Sequence, residues 1–434
     1  MELGMTTGNR GRRVLIIGVN YAPEQSGNAP YTTGLAEHLV ACGDHVTVLT
    51  GMPHYPAWRV DAAYARRLSA SETRNGVRIL RRVTYVPARQ SAVRRAAYEG
   101  SFILTGFPLW GVERPDAILG IVPGLNGAVL ARLLAARYRT RYGLLFQDLM
   151  GQAAAQSGIA GGTRVARVTR TVERWAASRA RAVAAVSPAF LPYLRGIGVS
   201  DNRLSIVPNW MHVPAPDRSP ESRATARARL GWDEGSTIVM HAGNMGNKQH
   251  LDQVLVAAAL ARQTLPTVRF VLLGDGSRRA ELMSAARAAG LANVSFLPPE
   301  PDETYAQTLA ASDMLLVTER ASVVDMALPS KLTSYAEAGR PVIAAVNGHG
   351  ATAAEVGRSG NGLVVAAENP GALLAAIGRL RADTALADRL AAAGPAYAAS
   401  TLGAADALAR TEELIASIAG TTRPTARTST EATR

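Results

Sequence analysis

Residues 328–344 read LPSKLTSYAEAGRPVIA. A polar Pro-Ser-Lys turn enters a short helical run, Leu332–Ala338, which Gly339-Arg340-Pro341 closes just before an apolar stretch. A helix delivered straight into a buried strand is the repeating unit of a parallel α/β sheet. The stretch also holds one of only two lysines; the other is Lys248 in HAGNMGNKQHLDQVL, and the rest of the 47 basic residues are arginine. Both lysines stand where a loop after a predicted strand gives way to a helix.

The same alternation runs through the chain. Strands are predicted at 13–19, 45–50, 77–83, 117–121, 142–147, 182–186 and 204–207, with helices between them at 31–41, 92–104, 126–137 and 164–178. MHVPAPDRSP (211–220), proline-rich and aperiodic, reads as a linker. A second series follows, with strands at 237–242, 269–273, 294–296, 314–317, 341–345 and 362–365. The expected boundaries are an N-terminal domain 1–212, a second domain 213–395, a C-terminal helix 396–419 packing back on the first domain, and a disordered tail 420–434. Each series can form a doubly wound sheet, which binds ligands beyond the carboxyl ends of its strands.

The net charge of +13 is uneven: 27 arginines face 13 acids through residue 218, against 20 basic and 21 acidic residues thereafter. The first half should therefore meet an anionic partner, such as a membrane surface or nucleic acid, unless the arginines merely form a solvated face. No apolar run reaches the ~18 residues that span a bilayer. The short run after Arg12-Arg13 fits a first strand better than a signal peptide. A single cysteine, Cys42, excludes an intramolecular disulfide, fits a reducing cytoplasm and is expected to be inert packing. The segment around Tyr98, Phe102, Phe107, Leu109 and Trp110, with Arg94 and Arg95, reads either as a membrane-interface element or as a buried helix.

Three polar loops carry the chemistry. In AGNMGNKQ, Gly243 and Gly246 permit close backbone approach and Lys248 stands at a helix start, a combination suited to phosphate. In LLGDGSRR, Gly274 and Gly276 flank Asp275, alone a weak signal. In the opening stretch, Ser330 and Lys331 begin a helix that carries Glu337 towards its far end. A compact, flexible ammonium suits a diphosphate where arginine would present a rigid fork; the plain alternative is that lysines commonly fall in polar loops.

The segments NYAPEQSGNAPYTTGLAEHLVACGDHVTVLTGMPHYPAW, FQDL, AVSPAF, IVPNW, AGNMGNKQ, VLLGDG and PSKLTSYAEAGRPVIA occur in this order across residues 13–370. Together they resemble the retaining nucleotide-sugar glycosyltransferases of family four. The likeness is greatest to the branch containing colanic-acid-type exopolysaccharide transferases. The resemblance implies an α/β GT-B fold: two Rossmann-like doubly wound domains facing across a cleft. It implies that Lys248 and Lys331 hold the donor diphosphate, with Gly243, Asn244, Ser330 and Leu332 beside them. Glu337 would contact the ribose, and Gly274, Asp275 and Gly276 would line the nucleotide pocket. From the opposite domain Gly27 and Asn28, next to Ser26, would approach donor phosphate and acceptor, and Asp148 would contact the transferred sugar. Two departures stand out: Pro329 replaces the first glutamate of the family's E-x7-E pattern, and Asn244 replaces an arginine. The branch commonly has PSK and GN at these places. The proline and acid usual after the FQDL-like element are also absent, Met150-Gly151-Gln152 standing there instead.

Among the histidines, His54 is a candidate acceptor contact, His349 a candidate sugar contact and His241 a buried structural residue. No cluster has metal-ligand spacing, so no metal or other cofactor is expected. The reading is a cytoplasmic enzyme, peripheral at the inner membrane face, with a UDP- or GDP-sugar donor and a polyprenyl-diphosphate-linked glycan acceptor. Nucleic acid is not the expected partner. Three alternatives stay open: a GT-B nucleotide-sugar epimerase, a nicotinamide oxidoreductase (disfavoured by the lack of G-x-G-x-x-G after the first strand), and a non-catalytic binder of anionic surfaces.

Overall fold

The computed structural model describes residues 11–24, 27–88, 91–122, 124–151, 162–324 and 329–421. Ser26, Gln152, Leu328 and the predicted tail beyond residue 421 lie outside the described residues.

The first half folds around β1 (Arg13–Ile17), β2 (His45–Gly51), β3 (Ser69–Arg74), β4 (Val77–Arg82), β5 (Ala117–Val122), β6 (Arg141–Phe146), β7 (Ala182–Ala185) and β8 (Leu204–Ile206). They form one eight-stranded sheet in the order β3-β4-β2-β1-β5-β6-β7-β8. Every residue of β5 and β7 is buried, as expected of strands covered on both faces by helices. All pairings are parallel except β3 with β4. That hairpin turns on Asn75 and Gly76, both at positive φ, the Asn-Gly chemistry that a tight two-residue turn favours.

The second half contains β9 (Thr237–Ala242), β10 (Val268–Leu273), β11 (Val294–Leu297), β12 (Met314–Thr318), β13 (Val342–Val346) and β14 (Gly362–Ala366). Its six-stranded sheet runs β11-β10-β9-β12-β13-β14, and every pairing is parallel. Strand order reverses between β9 and β12, so a crevice opens beyond their carboxyl ends. The loops carrying Lys248 and Lys331 follow these two strands.

The chain crosses between halves twice, and the crossings touch: the Met211 amide donates to the Leu402 carbonyl at 3.0 Å. The last three helices are Pro370–Ala382, Thr384–Thr401 and Ala404–Ala419, so the predicted break near Pro395 is corrected. Asp383 ends one helix and caps the next through Leu386 N, while Pro395 sits inside the middle helix. The final helix buries Leu414, Ile415 and Ile418 in the core of the N-terminal sheet.

The aromatic segment divides between core and surface. Tyr98, Phe102 and Leu109 are buried, whereas Val93, Leu104, Phe107 and Trp110 are exposed. Two exposed tryptophans carry arginines of the single helix Leu125–Tyr138: Arg137 over Trp110 at 4.3 Å and Arg132 over Trp175 at 4.1 Å. Among the described residues no helix is long and apolar enough to cross a membrane.

Candidate active site

Two glycine turns build the floor. A Cβ on Gly274 (φ +128°) would lie 2.1 Å from the Gly243 carbonyl oxygen, and one on Gly276 (φ +153°) 2.6 Å from Asn244 Oδ1. Only glycine permits that approach with that backbone. The turns nest accordingly, Met245 N donating to Asp275 O at 2.8 Å, and lay backbone open along the crevice.

Lys331 begins the helix Lys331–Glu337, and its Nζ stands 3.2 Å from His241 Nε2. Burial pushes the lysine down to about 7; Glu319 opposes the shift and Lys248 adds to it. Burial, then the Lys331 charge, lowers His241 well below its ordinary value. The imidazole is therefore neutral, its Nε2 lying between the lysine and the Asn244 carbonyl oxygen, 3.4 Å away. Lys248 Nζ lies 3.2 Å from Oε1 of the buried Glu319, whose Oε2 accepts from Thr352 Oγ1 at 2.8 Å. The end of β12 pins this lysine's loop: Thr318 Oγ1 donates to Gln249 O at 2.6 Å and Arg320 N to Lys248 O at 3.0 Å.

Across the gap, Glu24 shapes the N-terminal wall. Its Oε1 accepts the amides of His54 and Tyr55 at 2.7 and 2.8 Å. Gly27 (φ +65°) leaves a Cβ-sized space only 3.1 Å from the Tyr55 ring. Asp148, just beyond β6, is pushed up to about 7 by burial, against the charges of Lys248 and Arg95. It is half-buried and is not itself part of the lining of the cavity between the two walls.

Both walls enclose a cavity of about 490 Å³. It brings together Gly27, Gly243, Asn244, Lys248, Gly274, Asp275, Ser330 and Lys331. Gly276 lies behind this lining as the support of Asn244, and Asn28 starts the helix Ala29–Ala41 with its carbonyl accepting from Thr32. Three expected contacts stand outside this lining. Leu332 packs into the core beneath the sheet. His54 is buried, with Nδ1 at Met52 O (2.8 Å) and Nε2 at Tyr98 OH (3.1 Å), leaving neither ring nitrogen for a ligand. Glu337 is outside the lining, its Oε1 3.7 Å from Arg218. Three residues from Lys331 restores a helix face whereas six does not, and accordingly Ser334 lines the cavity instead. His349 is exposed on the surface.

His241 is buried as expected, but sequence reading did not connect it with Lys331 and did not single out Glu24 or Glu300. Glu300 lines the cavity with an Oε2 that is buried and has no hydrogen-bond partner among the described residues, an acceptor available to a ligand donor. Glu24 and His241 fall inside segments quoted above, but the contacts of all three become visible only when distant loops meet.

The description "Glycosyl transferase 4-like domain" matches residues 26–210 and "Glycosyl transferases group 1" residues 222–397. The chain is 33% identical over 342 residues to the Escherichia coli K12 protein named "Putative colanic acid biosynthesis glycosyl transferase WcaI", covering 77% of this chain and 83% of WcaI. Sucrose-phosphate synthase of Thermosynechococcus elongatus superposes with a TM-score of 0.69 at 19% identity, over 93% of this chain and 98% of that one. HepE of Anabaena, solved with UDP-glucose, gives 0.67 at 18% identity, over 94% of this chain and all 100% of that one. The chain therefore belongs to the group 1 glycosyl transferases and is a GT-B sugar-transferring enzyme.

Proposed function

We propose that this transferase takes a sugar from a UDP- or GDP-sugar, retains its anomeric configuration and passes it to a lipid-linked glycan in cell-surface polysaccharide assembly. The observation that carries this reading is the meeting of Lys248 and Lys331 with the nested glycine turns in one cavity opposite Gly27. Two ammonium groups beside open backbone suit a pyrophosphate, each charge pair at ~4 Å giving about 4 kcal/mol before desolvation. They supply the leaving-group stabilisation that a divalent ion would otherwise provide, so the reaction runs without a metal cofactor. Of the Sequence-predicted donor set, Gly243, Asn244, Gly274, Asp275 and Ser330 surround the nucleotide diphosphate, with Ser334 in the place expected for Glu337.

The acceptor hydroxyl loses its proton to a donor phosphate oxygen on the face where the new bond forms. Lys331 holds that phosphate as charge builds on it, and Asp148 contacts the transferred sugar from the N-terminal wall. The acceptor's lipid places the enzyme at the inner face of the cell membrane. Val93, Leu104, Phe107 and Trp110, with the arginines stacked on the tryptophans, give the basic domain an amphipathic face for anionic lipid.

The test is a thermal-shift screen of UDP- and GDP-sugars, followed by transfer to a polyprenyl-diphosphate-linked acceptor with the product anomer read by NMR. A donor that stabilises the protein and yields a retained linkage supports the reading. Turnover of donor alone with inversion at C2 indicates the epimerase, and inversion at the anomeric carbon rejects the retaining scheme.

A further inference from the structure

We infer that His38, Cys42 and Glu412 form a zinc site that fastens the last helix of the chain to the N-terminal domain, independently of the transfer reaction. His38 lies in the last turn of the helix Ala29–Ala41 and Cys42 is its C-cap. Their four-residue spacing puts imidazole and thiol on one face. Glu412 comes from the helix Ala404–Ala419. His38 Nε2 and Glu412 Oε1 are 2.8 Å apart, Cys42 Sγ and Glu412 Oε1 3.4 Å, and Cys42 Sγ and His38 Nε2 3.6 Å.

A tetrahedral zinc with bonds of about 2.0–2.3 Å needs ligand atoms about 3.3–3.7 Å apart. Two of the three separations already have that length. The third is the direct His–Glu hydrogen bond, which opens by about half an ångström to admit the ion. One sulfur, one nitrogen and one oxygen suit zinc and not the all-oxygen preference of calcium or magnesium. All three residues are half-buried. Binding ionises the Cys42 thiol, whose proton goes to solvent.

The position gives the ion a task. His38 and Glu412 are 374 residues apart in sequence, so the metal closes a loop that contains the entire second domain. Cross-links over long loops restrict the unfolded chain most. The fastened helix is the one that returns from the second domain to the first, so the site ties the chain's end across both.

Chelator-treated, untagged full-length protein is titrated with ZnCl2 by calorimetry under reducing conditions. We expect one saturable zinc per chain and a Tm raised by several degrees, reversed by EDTA. Cys42→Ala and the near-isosteric Glu412→Gln should each weaken binding at least about tenfold. With Co2+ in place of zinc, a thiolate charge-transfer band should appear, and the single cysteine of the chain makes its origin unambiguous. No saturable site, a site equally strong in both variants, or a Co2+ spectrum without the thiolate band would overturn the inference.

Discussion

The Nζ of Lys331 stands 3.2 Å from Nε2 of His241, so the lysine of the proposed donor site rests against a neutral ring and not against an acid. Burial therefore dominates, and the lysine falls from 10.5 to about 7. Between those values the unfolded chain keeps a proton that the folded protein has released. Stability without ligand should thus rise with pH from about 7 to about 10.5, the penalty being complete below 7. Lys331→Met should flatten this rise, measured by urea unfolding across that range. A bound diphosphate restores the charge, so binding near pH 8 should take up about one proton. The buffer dependence of the calorimetric enthalpy reads this uptake, and Lys331→Met should abolish it.

Lys248 rests against Glu319 at 3.2 Å. Removing the lysine leaves a buried carboxylate without its counter-charge, at a cost of about 3 kcal/mol. Lys248→Ala should therefore lower both Tm and diphosphate affinity. Lys248→Ala/Glu319→Gln should recover most of the Tm but not the affinity. Recovery of both would make the lysine a structural partner only.

Asp148 is raised from 3.8 to about 7 by burial. Over that window the folded protein holds a proton the unfolded chain has lost, so this residue lowers stability as pH rises from about 4 to about 7. Asp148→Asn should stabilise the ligand-free protein above pH 7, by about 1 kcal/mol or more, while reducing kcat at least about tenfold. Denaturant unfolding and transfer assays on one preparation check both directions.

Ser334 lines the cavity and its Oγ lies 3.3 Å from Tyr305 OH, whereas Glu337 faces Arg218. Ser334→Leu should reduce nucleotide affinity at least about tenfold, or 1.4 kcal/mol. Glu337→Gln should leave affinity within about twofold and cost at most about 1 kcal/mol of stability, as partly exposed ion pairs do. A larger binding loss for Glu337→Gln would return the ribose contact to that residue.

Much of this was legible because buried parallel strands announce themselves. Thr237–Ala242 and Met314–Thr318 are apolar runs ended by polar loops, and their carboxyl ends locate the crevice before any coordinates. The β3 strand was missed because Ser69–Arg74 is polar and lies at the sheet edge, although Asn75-Gly76 marked its turn. For Glu337, position along the chain was legible and facing was not: a six-residue step turns it away from the helix face of Lys331 and outside the lining. His241 looked like core because its strand is core; its role arises from a lysine 90 residues away. His54 looked like a site residue for the opposite reason, since a loop beside the cleft can still spend its side chain on packing.

Affinities for a nucleoside diphosphate and its monophosphate, measured by calorimetry with UDP/UMP and GDP/GMP, test the central claim most directly. For the preferred base, the wild-type enzyme should bind the diphosphate at least about tenfold more tightly, and Lys248→Met/Lys331→Met should bind both alike. A preference that survives the double substitution would contradict the account.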